Sequence, residues 1–242
     1  MKPIFEMILL LAVALHSAHA TTWFDDEATD PITGESITVQ SIGSYGSYIY
    51  EWDSKFDAVY WPLTTESFIY FNTNSGYIAF GADFEEISTN DIQQVKAFLD
   101  QNYDPAHPPK SHIEKLQWLE QVYSHRKTDD TFEIRYYGLM SYLHRQDKET
   151  ANTYRKIALE KIRVYLKTAK PSFYRSQLYG VAGFYSKLLG QNDDAELFWS
   201  SPERLNFDDE TTEAAKAYLD RILNSIQSDQ FQAGYFGLKQ GN

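Results

Sequence analysis

Ser111-His112-Ile113-Glu114-Lys115-Leu116-Gln117-Trp118-Leu119-Glu120-Gln121-Val122 reads as the start and body of a helix. Ser111 and Glu114 have the spacing of a capping box, in which the serine side chain accepts the amide three residues on and the glutamate reaches back to the serine amide. Ile113, Leu116, Leu119 and Val122 then return every third residue, which puts them on one helical face. A helix of this kind needs an apolar partner surface, so the rest of the chain must supply one.

Toward the C-terminus the same period continues. Ala151, Tyr154, Ala158, Ile162 and Tyr165 share one face, as do Ala215, Leu219, Ile222 and Ile226. Turn-forming residues interrupt the pattern at 104–109, 128–130, 146–147, 169–172, 190–193 and 200–208. Six or seven helices are predicted over residues 89–229, antiparallel neighbours because the connections are short, with a polar tail over 230–242. Tyr179, Ala182, Gly183, Ala195 and Trp199 resemble the large-small-small-small-large spacing of a tetratricopeptide hairpin, with residues 190–194 in the place of its turn. Ala151 to Ala195 is longer than the repeat of that family, so the array is expected to be irregular.

Toward the N-terminus the period changes to two. Residues 35–40 alternate, residues 48–52 are aromatic and β-rich, and residues 67–71 and 77–80 flank Asn74-Ser75-Gly76 as a hairpin does. Glycines 34, 43, 46, 76 and 81 punctuate residues 21–88 and argue against long helices there. The fold class expected is therefore α+β: a small β-rich head followed by helical hairpins.

Two short stretches carry a more specific resemblance. Asp30-Pro31-Ile32-Thr33-Gly34 and Asn72-Thr73-Asn74-Ser75-Gly76-Tyr77 resemble the paired CPxCG and CPxCGY knuckles of an uncharacterised bacterial family, a domain of unknown function with a zinc-ribbon-like head and tetratricopeptide-like helices. The family's cysteine positions fall on Asp30, Thr33, Asn72 and Ser75, and none is cysteine. The family implies no activity. Asp and Asn side chains hold a tight turn by accepting the amide two residues on, and a following glycine takes the left-handed conformation. The resemblance thus implies two facing turns whose shape outlives the metal, with Asp30, Thr33, Asn72 and Ser75 as vestigial metal positions. A calcium site built on them would have one carboxylate where such sites use several, so hydrogen-bonded turns are the expectation, with no metal and no cofactor.

Residues 1–20 read as a cleaved secretory signal: Lys2, an apolar run from Met7 to Leu15, and Ala18-His19-Ala20 as the cleavage motif. The apolar run is too short to span a bilayer, so no stable membrane insertion is expected and the protein is placed in the periplasm or outside the cell. Removing that segment leaves the net charge at −12, which disfavours nucleic acid as a partner. The one dense basic stretch, Arg155 to Lys170, has Lys156, Lys161, Arg163 and Lys167 interspersed with apolar residues as on a solvated helix face. The absence of cysteine excludes disulfides, thiolate catalysis and thiolate metal sites.

Candidate chemistry is sparse. Acidic clusters at Asp25-Asp26-Glu27, at Asp83 with Glu85 and Glu86, and at Asp208-Asp209-Glu210 contain no pair singled out for acid–base work. His107, His112, His125 and His144 lack ligand-like spacing; His107 is expected to be exposed, and His125 and His144 to end helices where a cation is favoured. No nucleophile elbow or phosphate loop occurs, and no catalytic residue is assigned. Tyr48, Tyr50 and Trp52 alternate onto one strand face, which suits ligand stacking as well as core packing. The sequence favours a non-catalytic exported module that binds a protein or peptide; the alternative is a protein that binds or cleaves envelope glycan through the strand aromatics and nearby carboxylates.

Overall fold

The computed structural model describes residues 22–44 and 69–208, with 211–214, 216, 217 and 220. The signal segment, Tyr48, Tyr50, Trp52 and most of the last helical pattern lie outside the described residues. Two hairpins open the chain. Strand β1 (Thr22–Thr29) pairs antiparallel with β2 (Ser36–Ser44), so that Thr29 faces Ser36 across a turn at 30–35. Strand β3 (Ile69–Phe71) pairs antiparallel with β4 (Ile78–Phe80), so that Phe71 faces Ile78 across a turn at 72–77.

Helices follow without a further strand among the described residues. They are α1 (Gly81–Phe84), α2 (Thr89–Asn102), α3 (His112–Tyr123), α4 (Asp130–Leu143), α5 (Lys148–Leu166), α6 (Phe173–Leu188) and α7 (Asn192–Ser200), then a 3₁₀ turn at Pro202–Leu205. The mixed α+β class expected from the change of period is what the structure has, with helix the larger part. Local chemistry explains where the helices start. Ser88, Ser111, Asp129, Asp147 and Ser172 each accept an amide of the first helical turn, and Ser111 with Glu114 forms the complete capping box.

The apolar faces meet in two clusters. The first gathers Ala28, Val39, Tyr77 and Ile78 from the N-terminal hairpins with Phe84, Val95, Leu116, Leu119, Met140 and Tyr154 from the helices. Each Leu or Phe buried this way contributes about 1.5–3 kcal/mol relative to exposure. The second gathers Ile134, Leu159, Ile162, Leu178, Ala182, Phe184, Tyr185, Ala195 and Trp199 from α4 to α7. Residue 88, where the sequence pattern changes, therefore separates two periodicities and not two cores. The head and the first helices share one interior.

Candidate functional site

Each hairpin tip is closed by the same set of bonds, 42 residues apart. The Asp30 amide donates to the Glu35 carbonyl (2.8 Å) and the Gly34 amide to the Asp30 carbonyl (2.7 Å); the Asn72 amide donates to the Tyr77 carbonyl (2.9 Å) and the Gly76 amide to the Asn72 carbonyl (2.9 Å). Side chains repeat the correspondence. Asp30 Oδ1 accepts the Ile32 amide at 2.7 Å, and Asn72 Oδ1 accepts the Asn74 amide at 2.9 Å. The Thr33 hydroxyl accepts the Glu35 amide at 3.3 Å, and the Ser75 hydroxyl accepts the Tyr77 amide at 3.1 Å. Gly34 and Gly76 both have positive φ, at 76° and 82°. At Gly76 a second constraint acts: an added Cβ would lie 2.3 Å from the Tyr103 ring.

The two tips face each other, as the paired spacing predicted. Asn72 Nδ2 donates to Asp30 Oδ2 at 2.7 Å, and the Ser75 hydroxyl donates to the same oxygen at 2.5 Å. Asp30 is 0% and Asn72 2% exposed, so these bonds form away from water, where an unmade one is expensive. Of the four positions singled out by spacing, Thr33 does not reach the centre; it stays exposed in its own turn. Glu35 takes part instead, accepting Asn72 Nδ2 at 3.1 Å and Asn74 Nδ2 at 2.7 Å. Nothing in the local pattern pointed to this role, because Glu35 lies just outside the knuckle spacing. Among the described residues no group of three or more His, Cys, Asp or Glu side chains is arranged to hold a metal ion.

The second tip is bound to the helices by two aromatic donors. Trp118 Nε1 donates to the Gly76 carbonyl at 2.7 Å, and the Tyr103 hydroxyl to the Thr73 carbonyl at 2.6 Å. Behind them Tyr77 is fully buried and donates to the Phe84 carbonyl at 3.1 Å. Burial pushes its hydroxyl up to about 12, an effect opposed by Arg126 and added to by Asp30 and Asp83. Tyr123 ties α3 to the head, accepting the Phe80 amide at 3.2 Å and donating to Asp83 at 2.8 Å.

Where Tyr103 and Trp118 reach the surface, the loop 103–111 and α3 enclose a shallow cleft of about 340 Å³. The two rings lie 5.6 Å apart at 36°. Pro108 and Pro109 form a wall, and Asn102, Gln117 and Gln121 stand at the rim. Asp104 closes the end, accepting the Ala106 amide (2.9 Å) and pairing with His107 (2.6 Å), and these bonds hold its carboxyl below the usual range. Sequence reading passed over this cleft. Its signal was the Gln117–Gln121 pair one helical turn apart on either side of Trp118.

Several of the other sequence candidates have structural partners, while Asp209 and Glu210 lie outside the described residues. On β1, Asp26 accepts the Ser41 hydroxyl (2.9 Å), Glu27 the Ser36 hydroxyl (3.2 Å), and Asp25 the Gln40 amide. Glu85 accepts the Thr29 amide at 2.6 Å, joining the end of α1 to β1. Lys161 pairs with Glu133, and Arg163 with Asp194 at 2.6 Å, while Lys156 and Lys167 are exposed. His107 is exposed and His125 stacks on Phe98 at 4.4 Å. His144 departs from its expectation of a favoured cation at a helix end. It caps α4 but is only 6% exposed, stacks on Tyr154 at 5.3 Å, and is pushed below the ordinary histidine value by burial and by neighbouring His112.

In the α6–α7 hairpin, Ala182, Ala195 and Trp199 are buried, and Gly190 takes φ 77° at the turn. A Cβ on Gly183 would lie 2.1 Å from Trp199 Nε1, so the two helices meet at a point where only glycine fits. No family model, no curated protein and no solved structure matches the chain. Its function is therefore read from the chemistry of these residues. No helix among the described residues is long and apolar enough to cross a membrane.

Proposed function

We propose that this protein is an exported, non-catalytic interaction module: a ribbon-like head with hydrogen bonds in the place of a metal, joined to tetratricopeptide-like hairpins that bind a protein or peptide segment. The observation that carries the binding reading is the α6–α7 hairpin, where Gly183 against Trp199 has the close small-to-large fit that stacked helical repeats use. Two large apolar side chains are exposed near the Arg163–Asp194 bridge in sequence: Val164 follows Arg163 on α5 and is 57% exposed, and Leu197 lies three residues after Asp194 on α7 and is 68% exposed. Exposed apolar side chains of this size are candidate anchors for a partner segment. Screening the purified chain against an immobilised peptide library tests this. A retained peptide should be lost with Val164→Glu and Leu197→Glu, which change exposed positions and should leave the melting temperature in place. Retention of no peptide, or retention indifferent to both changes, defeats the binding reading.

The ribbon-like head rests on the four pairs of equivalent bonds and on the two facing turns. Its test is separate. A chain carrying Asp30→Cys, Asn72→Cys and Ser75→Cys should bind one zinc ion, because three thiolates would then sit where these side chains already meet, with the Glu35 carboxylate beside them as the fourth ligand. A folded variant that binds no zinc leaves the turns without the proposed ancestry.

A further inference from the structure

We propose that the cleft between the 103–111 loop and α3 is a carbohydrate subsite that takes a short stretch of neutral glycan. Three features of the lining point there. The polar handles of Tyr103 and Trp118 are already donated inward, to the Thr73 and Gly76 carbonyls, so what these residues present to the cleft is ring carbon. Sugar rings offer a matching surface of axial C–H groups, and aromatic rings supply large contact area at little conformational cost. Beside the rings, the side-chain amides of Gln117 and Gln121 make no hydrogen bond within the described residues and are exposed. They stand one turn apart on α3, about 5–6 Å between Cβ atoms, which is comparable with the span of a pyranose ring. A hydroxyl needs both a donor and an acceptor, and an amide provides both. Asp104 adds to the lining a carboxylate held in place by His107 and the Ala106 amide, each oxygen keeping a lone pair beyond the bond it makes.

Charge and size narrow the class. The lining contains Asp104 and Glu114 but no Lys or Arg, so phosphate, sulfate and uronic acids are repelled. The volume of about 340 Å³ is at the low end of the range of small-ligand sites. The cleft stands apart from the helical face around Val164 and Leu197, so failure of one reading leaves the other intact.

Titration of the ¹⁵N-labelled chain with chitotetraose, with cellotetraose and, separately, with an oligoproline peptide tests the proposal. The Trp118 indole and the Gln117 and Gln121 side-chain signals should shift saturably with at least one tetrasaccharide at sub-millimolar to millimolar concentration. A Gln117→Ala/Gln121→Ala chain should lose at least tenfold in affinity at an unchanged melting temperature. Absence of saturable shifts with both sugars, shifts with the peptide alone, or full affinity in the double variant would each overturn it.

Discussion

In the head, Asp30 and Asn72 are joined by a hydrogen bond between side chains; in the α6–α7 hairpin, Gly183 and Trp199 meet by close packing, with one long bond from the Trp199 indole to the Gly180 carbonyl (3.5 Å) beside it. Both contacts are buried and both fix two pieces of chain that are separate in sequence. They should fail for opposite reasons. A hydrogen-bonded centre depends on which atoms are donors and which acceptors, and tolerates little change of chemistry at constant volume. A packed crossing depends chiefly on volume, and here the one donor in it makes only a long bond. The protein thus combines a chemical lock at one end with a steric lock at the other.

The largest effect should come from the chemical lock. Asp30→Ala removes the acceptor of the Ile32 amide, Asn72 Nδ2 and the Ser75 hydroxyl together, and should cost about 4 kcal/mol at about 1–3 kcal/mol per buried group left unpaired. Asp30→Asn keeps the shape and puts a donor among donors, so it should lose more than half as much. Urea midpoints at constant slope measure both. If Asp30→Asn is neutral, the lock is steric after all and the contrast collapses.

Next comes the steric lock. Gly183→Val should destabilise by about 1–3 kcal/mol, because Trp199 is only 3% exposed and has nowhere to swing. Pairing Gly183→Ala with Trp199→Phe sharpens the point. The smaller ring makes room, so the double change should cost less than the sum of the two single ones in a double-mutant cycle. Simple additivity would mean that the crossing is looser than its geometry.

The smallest effect is one of pH and belongs to the helical side. Folded His144 resists protonation, whereas the unfolded chain takes the proton near about pH 6.5. Stability from this group is therefore fully present above that value and falls as the pH drops through it toward the lowered folded value. His112, Glu120 and Asp147 are the titratable neighbours, the first opposing the charged form and the carboxylates favouring it. Melting temperature against pH should show the decline, and His144→Gln should flatten that part of the curve. An unchanged curve would assign the loss elsewhere.

Sequence made most of the helices legible because five of them announce themselves locally, through a side-chain cap and an apolar stripe. The two turns were legible for the same reason, since an Asx side chain, a glycine and five residues suffice to define them. Their meeting was not a matter of propensity. It followed only from the paired spacing, and even that missed Glu35, whose role depends on where the second tip lands. The cleft was illegible because its floor is made by Tyr103 and Trp118 facing the Gly76 turn, a contact across 42 residues in the case of Trp118. His144 was misread because a position at a helix end says nothing of what packs over it. Strand β1 was hidden by its charges, which are matched across the hairpin by Gln40, Ser41 and Ser36.

The bond between Asn72 and Asp30 also closes a ring in the chain. The stretch of chain between the two tips, β2 and β3 included, has its ends clasped without a covalent bond, in a sequence that has no cysteine to do it otherwise. Loop-closure entropy grows only with the logarithm of length, so doubling the number of residues inside the ring would raise the cost of closing it by about 0.6 kcal/mol. The clasp therefore places almost no demand on how long the enclosed segment is. Insertions there should be borne far more easily than a single atom changed at Asp30, and a chain cut once inside the ring would still be held at both ends.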